Sequence, residues 1–425
     1  MSFTLRPYLD LVRNNADYRR LWLAQIIANF GDWFGLLAIY ALIQDYSGSE
    51  LLLGLIIVVK MLSLASFSPI AGYITDRFNR RKLMIWCDIA RGVIVLGFIL
   101  ISSAEMLWLA YVLIAAQMSF AAIFEPAKTS SIPNVTTSEE LVIANILSAA
   151  SWSIIFTTGM ALGGFATAWL GTDVVFIING FTYLISTIII YRASIPQTVM
   201  SKRELYRTRN PLTGIREGIE YIFSNKHVLR PTLAKGLFTM CLGALVYLLI
   251  IVSEEVLMMG SIGLGILYAA RGVGTGIGPV VGRRIFKSES LWVKGMGIFM
   301  ICGGLMYSVV SFVESVVIMS LFVMLAHMAS GSNWVMSTVL LQRRAPDTYR
   351  GRVFSLEWLL FTLAQSVSVT IAALILEFEL LTIRETMGIF SVLLVLAGIA
   401  WLTLVAPAEE RYTLSEKEMA VSGQA

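Results

Sequence analysis

LLLGLIIVVKMLSLASFSPIAGYITDRFNRRK, Leu51 to Lys82, is a long apolar run that ends in four basic residues within six positions: Arg77, Arg80, Arg81 and Lys82. A run of that length crosses a hydrocarbon core of about 30 Å as a helix. The same alternation extends in both directions. Twelve apolar stretches follow one another, the first from Leu21 to Ile43 and the last from Met387 to Val405. Of the 32 Lys and Arg residues, 28 fall in the N-terminal arm, the even-numbered gaps and the C-terminal tail. The odd gaps hold only Arg384, and Lys60, Arg91 and Arg271 lie inside apolar stretches. Segments retained in the cytoplasm keep their Lys and Arg, so both termini and all even gaps are expected there. Twelve spans satisfy this parity and eleven would break it. The expectation is an all-α membrane protein, multi-pass in the cytoplasmic (inner) membrane.

Composition agrees. A 57% hydrophobic share with 14% charged residues is far from the roughly one quarter charged of a soluble domain. The net charge of +4 reads as a topology signal against anionic lipid, so no nucleic-acid partner is expected. The first stretch is too long for a signal-peptide core and has no small-residue cleavage site after it. Cys87, Cys241 and Cys302 sit in apolar stretches at unrelated spacings, which suggests neither disulfides nor a metal site. There is no Gly-x-x-x-x-Gly-Lys-Ser/Thr string for a nucleotide, and the two histidines lie on distant segments without a His-Glu-x-x-His motif. No enzyme, cofactor or metal is expected.

The longest interruption, roughly Arg192 to Arg230, is polar and basic and contains an amphipathic segment, GIREGIEYIF from Gly214 to Phe223. It divides the chain into a six-span bundle at 1–194, a cytoplasmic linker at 195–230, a second six-span bundle at 231–408 and a tail at 409–425. The bundles read as repeats. Gly54, Lys60, Pro69 and Gly72 of the second span match Gly265, Arg271, Pro279 and Gly282 of the eighth at offsets of 211 to 210 residues. Repeats of this kind place the substrate path between the halves, near the bilayer midplane.

The loop GYITDRFNRRK, Gly72 to Lys82, resembles the signature loop of the major facilitator superfamily. Gly72, Asp76, Arg77, Arg80, Arg81 and Lys82 match, while Asn79 stands where Gly is commoner. Three longer strings resemble the branch with macrolide-efflux and enterobactin (siderophore) exporters. These are LWLAQIIANFGDWF from Leu21, FEPAKTSSIPNVTTSEELVIAN from Phe124, and RAPDTYRGRVFSLEW from Arg344. The resemblance implies two pseudo-symmetric six-helix bundles and a monomer that exports a hydrophobic or amphipathic small molecule in exchange for protons. An importer or lysophospholipid transporter of the same fold is the alternative. It also implies a conformational latch of Gly72, Asp76, Arg77, Arg80, Arg81 and Arg352. A carboxylate at the C-terminal end of span 2 is disfavoured by the helix dipole, and the start of span 11, around Arg350, Gly351 and Arg352, would compensate. The other reading of these arginines is topology alone. GMALGG, Gly159 to Gly164, is similar to an antiporter signature but departs from it at Met160 and Ile155, and close helix contact explains it equally.

Ionisable groups at bilayer depth cost on the order of 2.5 to 3.5 kcal/mol each, so they face cavities and take partners. Asp32 and Lys60 lie at depths that differ by about 4.5 Å at 1.5 Å per residue. They are expected to pair, either as a proton-coupling site or as a permanent tie between spans 1 and 2. Asp88 and Arg91, three residues apart, are expected to satisfy each other. Asn29, Trp33, Gln117, Arg271, His327, Asn333 and Glu357 are candidates for the substrate cavity, Arg271 facing either an anionic substrate group or Glu357. His227 is expected to be solvated, and Trp108 and Trp292 to anchor at the interface.

Overall fold

The computed structural model describes residues 6–47, 50–198 and 210–411. A short α1, Arg6–Asn14, leads into six long helices: α2 Ala16–Ser47, α3 Glu50–Arg77, α4 Arg80–Gly97, α5 Leu107–Val135, α6 Ser138–Leu170 and α7 Thr172–Tyr191. The linker carries α8, Pro211–Ser224. Six more long helices follow: α9 Lys226–Ile251, α10 Gly260–Ile285, α11 Trp292–Val310, α12 Val316–Arg344, α13 Arg350–Glu377 and α14 Ile383–Ala400. Among the described residues, the twelve long helices and no others are long and apolar enough to cross a membrane. Lipid offers no hydrogen bonds, so an apolar segment must satisfy its own backbone, and the helix does that within one segment.

Local chemistry marks the helix starts. Thr137 with Glu140 and Thr382 with Glu385 form capping boxes on α6 and α14. Asn79 is the N-cap of α4 and accepts the Lys82 amide at 3.0 Å. Asn caps better than Gly, which gives its presence in the signature loop a physical reason.

The chain forms two compact units: Met1–Ile222 with Ala345–Thr362, and Phe223–Arg344 with Leu363–Ala425. In the first unit α2 packs on α6 and α7, α3 on α5, and α4 on α5 and α7. In the second, α9 packs on α12 and α14, α10 on α12, and α11 on α12 and α14. Four pairings recur between the units: α2/α7 with α9/α14, α3/α5 with α10/α12, α4/α7 with α11/α14 and α4/α5 with α11/α12. The repeat read from four residues of two spans therefore extends to helix neighbours. The first unit's core gathers Ile43, Phe98, Phe176 and Tyr183, with Phe98 and Phe176 stacked at 5.2 Å. In GMALGG, a Cβ on Gly163 would lie 2.3 Å from the Phe34 carbonyl oxygen, so the motif serves the close approach of α6 to α2.

Two tryptophans divide. Trp108 is 62% exposed, as an interfacial anchor would be, whereas Trp292 is buried and donates its indole N–H to the Phe286 carbonyl. The expectation for Trp292 is corrected, because its N–H finds a backbone partner inside the unit.

Candidate functional site

In the first unit Asp32, Asp88 and Arg91 form one network. Asp88 and Arg91 share a face of α4 through their i, i+3 spacing, with a guanidinium to carboxylate distance of 3.6 Å. Tyr183 and Ser186 repeat that spacing on α7, which packs against α4. The Ser186 hydroxyl donates to Asp88 at 2.6 Å, and Tyr183 and Gln117 approach Asp32 of α2. Arg91 donates to Asp32 Oδ2 at 2.6 Å while its guanidinium lies 4.5 Å from the Tyr183 ring centroid. Gln117 donates to Asp32 Oδ1 at 3.3 Å and to the Tyr183 hydroxyl at 3.1 Å. Asp88 and Arg91 are buried, but the Asp32 side chain keeps 25% exposure. One guanidinium therefore bridges a buried carboxylate and a carboxylate that solvent or a ligand reaches.

This arrangement corrects the expected Asp32–Lys60 pair. Lys60 lies near enough to Asp32 to feel its charge, but the direct contact, at 2.6 Å, is made by Arg91. A planar guanidinium with five donors can serve two carboxylates at once, whereas an ammonium is a single point charge. The sequence reading paired Asp88 with Arg91 and missed Tyr183 and Ser186. The Tyr-x-x-Ser spacing within the polar stretch from Asn179 to Thr187 of an otherwise apolar span was the available signal.

The other cavity candidates separate between units. Asn29 and Trp33 lie on α2, where Trp33 meets Phe156 edge-on at 4.7 Å and Trp152 at 6.1 Å. Glu357 is buried in the first unit. In the second unit His327 and the Tyr307 hydroxyl are 2.9 Å apart, Arg271 lies over the Tyr268 ring at 5.3 Å, and the buried Asn333 amide has no partner among the described residues. Lys235, one of the 28 basic residues assigned to the gaps between spans, is buried in α9 instead. It donates to Thr338 at 2.9 Å and lies 3.9 Å from the Trp334 ring centroid. His227 is not a solvated residue either: with Arg230 and Arg344 it contacts the buried carboxylate of Glu409.

The signature loop meets the start of α13. Asp76 Oδ1 accepts the Gly351 amide at 2.6 Å, and Oδ2 accepts the Arg352 amide at 3.1 Å and its side-chain Nε at 2.9 Å. Unpaired amides and a positive dipole make a helix N-terminus a natural seat for a carboxylate. A Cβ on Gly72 would lie 2.8 Å from the Arg352 Cα, and one on Gly351 would lie 2.6 Å from Asp76 Oδ1. Both glycines are needed for the crossing. The three arginines of the loop act differently. Arg77 bonds the Tyr73 hydroxyl, and Arg81 bonds the Tyr191 carbonyl, each close to its own helix end. Arg80 is fully buried and grips Asp347 through both its carboxylate and its carbonyl, each at 2.5 Å.

Asp347 is the residue of this region that sequence reasoning did not single out. It also accepts from Asn134 at 3.1 Å, from the Thr198 amide at 2.6 Å and from Arg350 at 3.2 Å. Burial alone would raise its carboxyl, but Arg80, the Thr198 amide and Asn134 together hold it below the usual carboxylate value.

Comparison with known proteins places the chain. The model of the Major Facilitator Superfamily matches residues 21–369. The chain is 27% identical over 363 residues to the uncharacterized MFS-type transporter YfiS of Bacillus subtilis, covering 81% of this chain and 83% of that protein. It is 27% identical over 351 residues to the candidate bacilysin exporter BacE of Bacillus subtilis, covering 81% and 84%. Among solved structures, the human organic anion transporter MFSD10 (TETRAN) matches with a TM-score of 0.70 at 14% identity, covering 92% of this chain and 99% of that one. A bacterial homologue of the iron transporter ferroportin matches at 0.67 and 13%, covering 91% and 99%. With twelve membrane-length helices in two units of recurring pairing, and a family match over most of its length, this chain belongs to the Major Facilitator Superfamily and is a multi-pass membrane transporter, not an enzyme.

Proposed function

We propose that this transporter is a proton-coupled exporter of a hydrophobic or amphipathic small molecule, working as a monomer in the cytoplasmic membrane with both termini inside. The observation that carries the reading is the Asp32–Arg91–Asp88 bridge, in which the outer carboxylate is one quarter exposed and the inner one buried. Protonation of Asp32 cancels its charge and releases its hold on Arg91, which then serves Asp88 alone. Loss of that proton restores the bridge. A carboxylate whose ion pair is made and broken in this way links proton uptake to helix position, because the pair joins α2 directly to α4 while α7 packs on both. Gln117, which bonds Asp32, and Trp33, next to Asp32 in sequence, are the polar and flat surfaces assigned to the substrate in the first unit; Asn29 and Glu357 of that unit, and Arg271, His327 and Asn333 of the second, stay candidates for the same role. The likeness to BacE supports export, and the strings that resemble those of macrolide and enterobactin exporters suggest a bulky amphipathic cargo. Asp76, with Gly72, Arg77, Arg80, Arg81 and Arg352, is the latch that holds the start of α13 in one transport state.

The test is uptake into everted membrane vesicles energised by a proton gradient, with a panel of macrolides, siderophores and lipophilic cations. Gradient-dependent accumulation that Asp32→Asn abolishes supports the reading, and accumulation indifferent to the gradient overturns the coupling. A second reading rests on likeness to the lysophospholipid transporter LplT of Photorhabdus laumondii, 30% identical over 146 residues and 34% of this chain. Lysophospholipid belongs in the same panel.

A further inference from the structure

The linker helix α8 is built the opposite way round from a helix on a soluble surface. Gly214, Glu217, Gly218 and Tyr221 recur at i, i+3, i+4 and i+7 and so share one face. That face lies on the signature-loop contact. A Cβ on Gly214 would meet the Tyr73 ring at 2.5 Å, and one on Gly218 would meet the Arg352 side chain at 2.9 Å. Glu217 pairs with the Arg352 guanidinium at 3.7 Å. Tyr221 stacks on Tyr349 at 4.5 Å, and Tyr349 carries the same guanidinium on its ring at 4.1 Å. This small and polar face therefore points into the protein, with the fully buried Ile222 at its edge.

The apolar face points out. Leu212, Ile219 and Phe223 lie on the opposite side and are 74%, 40% and 57% exposed, with exposed Arg216 between them. Exposed leucines and phenylalanines are ordinary on a span, where lipid covers them, but α8 is not one of the twelve. Its position supplies the cover. Tyr73 lies four residues from the end of α3, about 6 Å along the axis, and Arg352 lies in the first turn of α13. The helix thus runs past the ends of two spans, at the level where hydrocarbon gives way to headgroups. From 192 to 230 the chain holds eight Lys and Arg against three Glu, a charge that matches anionic headgroups.

We propose that α8 is an in-plane strap whose outer face is seated in an anionic lipid surface and whose inner face holds Arg352 against Asp76, so that lipid composition sets the strength of the latch contact. The occupant of the outer face is lipid, since the exposed side chains are apolar, their neighbours are span ends and the flanking charge is basic. Seating Leu212, Ile219 and Phe223 fixes the strap's depth. Glu217, Gly218 and Tyr221 then press on the Arg352 side chain, which has no other support from the linker among the described residues.

The experiment uses the full chain in nanodiscs of phosphatidylcholine with or without phosphatidylglycerol, with single spin labels at positions 212, 213, 219 and 223 after replacing the exposed Cys302 by serine. Labels at 212, 219 and 223 should collide more with oxygen than with a water-soluble nickel complex, and the label at 213 should show the reverse. All four labels equally accessible to water would overturn the seat and point to a protein partner or no partner. In a second arm, labels at 78 and 213 report the strap's closeness to the signature loop. Their separation should lengthen on omitting phosphatidylglycerol, and lengthen again in Leu212→Glu/Phe223→Glu. An unchanged separation in both would overturn the link from lipid to latch.

Discussion

The Asp76 carboxylate and the Gly351 amide meet at 2.6 Å across 275 residues of chain, and the contact exists only because neither Gly72 nor Gly351 carries a Cβ. Asp76 ends one helix and Gly351 begins another. Each helix end has a charge problem that the other solves, since a carboxylate is disfavoured at a C-terminus and welcomed at an N-terminus.

Asp76→Asn keeps the shape of this contact and removes its charge. The carboxylate is buried against Arg352 and Arg80, so the loss should be about 2 kcal/mol, the upper end of the range for a charge at a helix end, which shifts a balanced two-state equilibrium roughly thirtyfold. Pulsed electron-spin distances between labels at the end of α3 and the start of α13 should lengthen. An unaltered distribution would leave these residues with topology as their role.

Gly351→Ala changes no charge, yet it should weaken the same contact at least as much. Its Cβ would stand 2.6 Å from Asp76 Oδ1 and 2.7 Å from the Thr75 Cβ, so the helices must separate. Overpacking of this kind costs about 1 to 3 kcal/mol. The same pair of labels should report a separation comparable to that of Asp76→Asn; a wild-type distance would show that the crossing has room to spare.

Arg91 and Lys60 should differ sharply as sites of mutation. Arg91→Ala leaves the buried Asp88 and the half-buried Asp32 without a cation, and breaking a buried pair costs about 3 to 5 kcal/mol. Lys60→Ala removes a group that feels the Asp32 charge but makes no direct ion pair with it. Detergent-solubilised yield and melting temperature should fall markedly for the first and change little for the second. Equal losses would restore Lys60 as the partner of Asp32.

The Asp347 cluster should resist acid. Its carboxyl titrates below the ordinary value in the folded protein, so its contribution is complete above the unfolded value of about 3.9 and is lost as pH falls through the lower folded value. The stability difference between wild type and Asp347→Asn should stay constant from neutral pH to about 4 and vanish only below. A difference that disappears between about pH 7 and 5 would contradict the geometry.

Hydropathy and charge placement are local, additive properties, and they made the spans, their number and their expected orientation readable in the chain itself. The signature loop was legible for the same reason, because its spacing is written over eleven consecutive residues. Partner choice was not legible. Depth along two helices made Asp32 and Lys60 plausible neighbours, but whether side chains meet depends also on the rotation of each helix about its axis and on which helices touch. The packing of α4 against α7 turned Arg91 toward Asp32 and left Lys60 aside. Asp347 escaped notice because a lone aspartate in a loop carries no signal until Arg80, Asn134 and Thr198 converge on it from three separate segments. The amphipathic pattern of α8 was visible in the sequence, but which face met protein and which met lipid was not. A single helix has no inside, and only the docking of Gly214 and Gly218 onto Tyr73 and Arg352 gave it one.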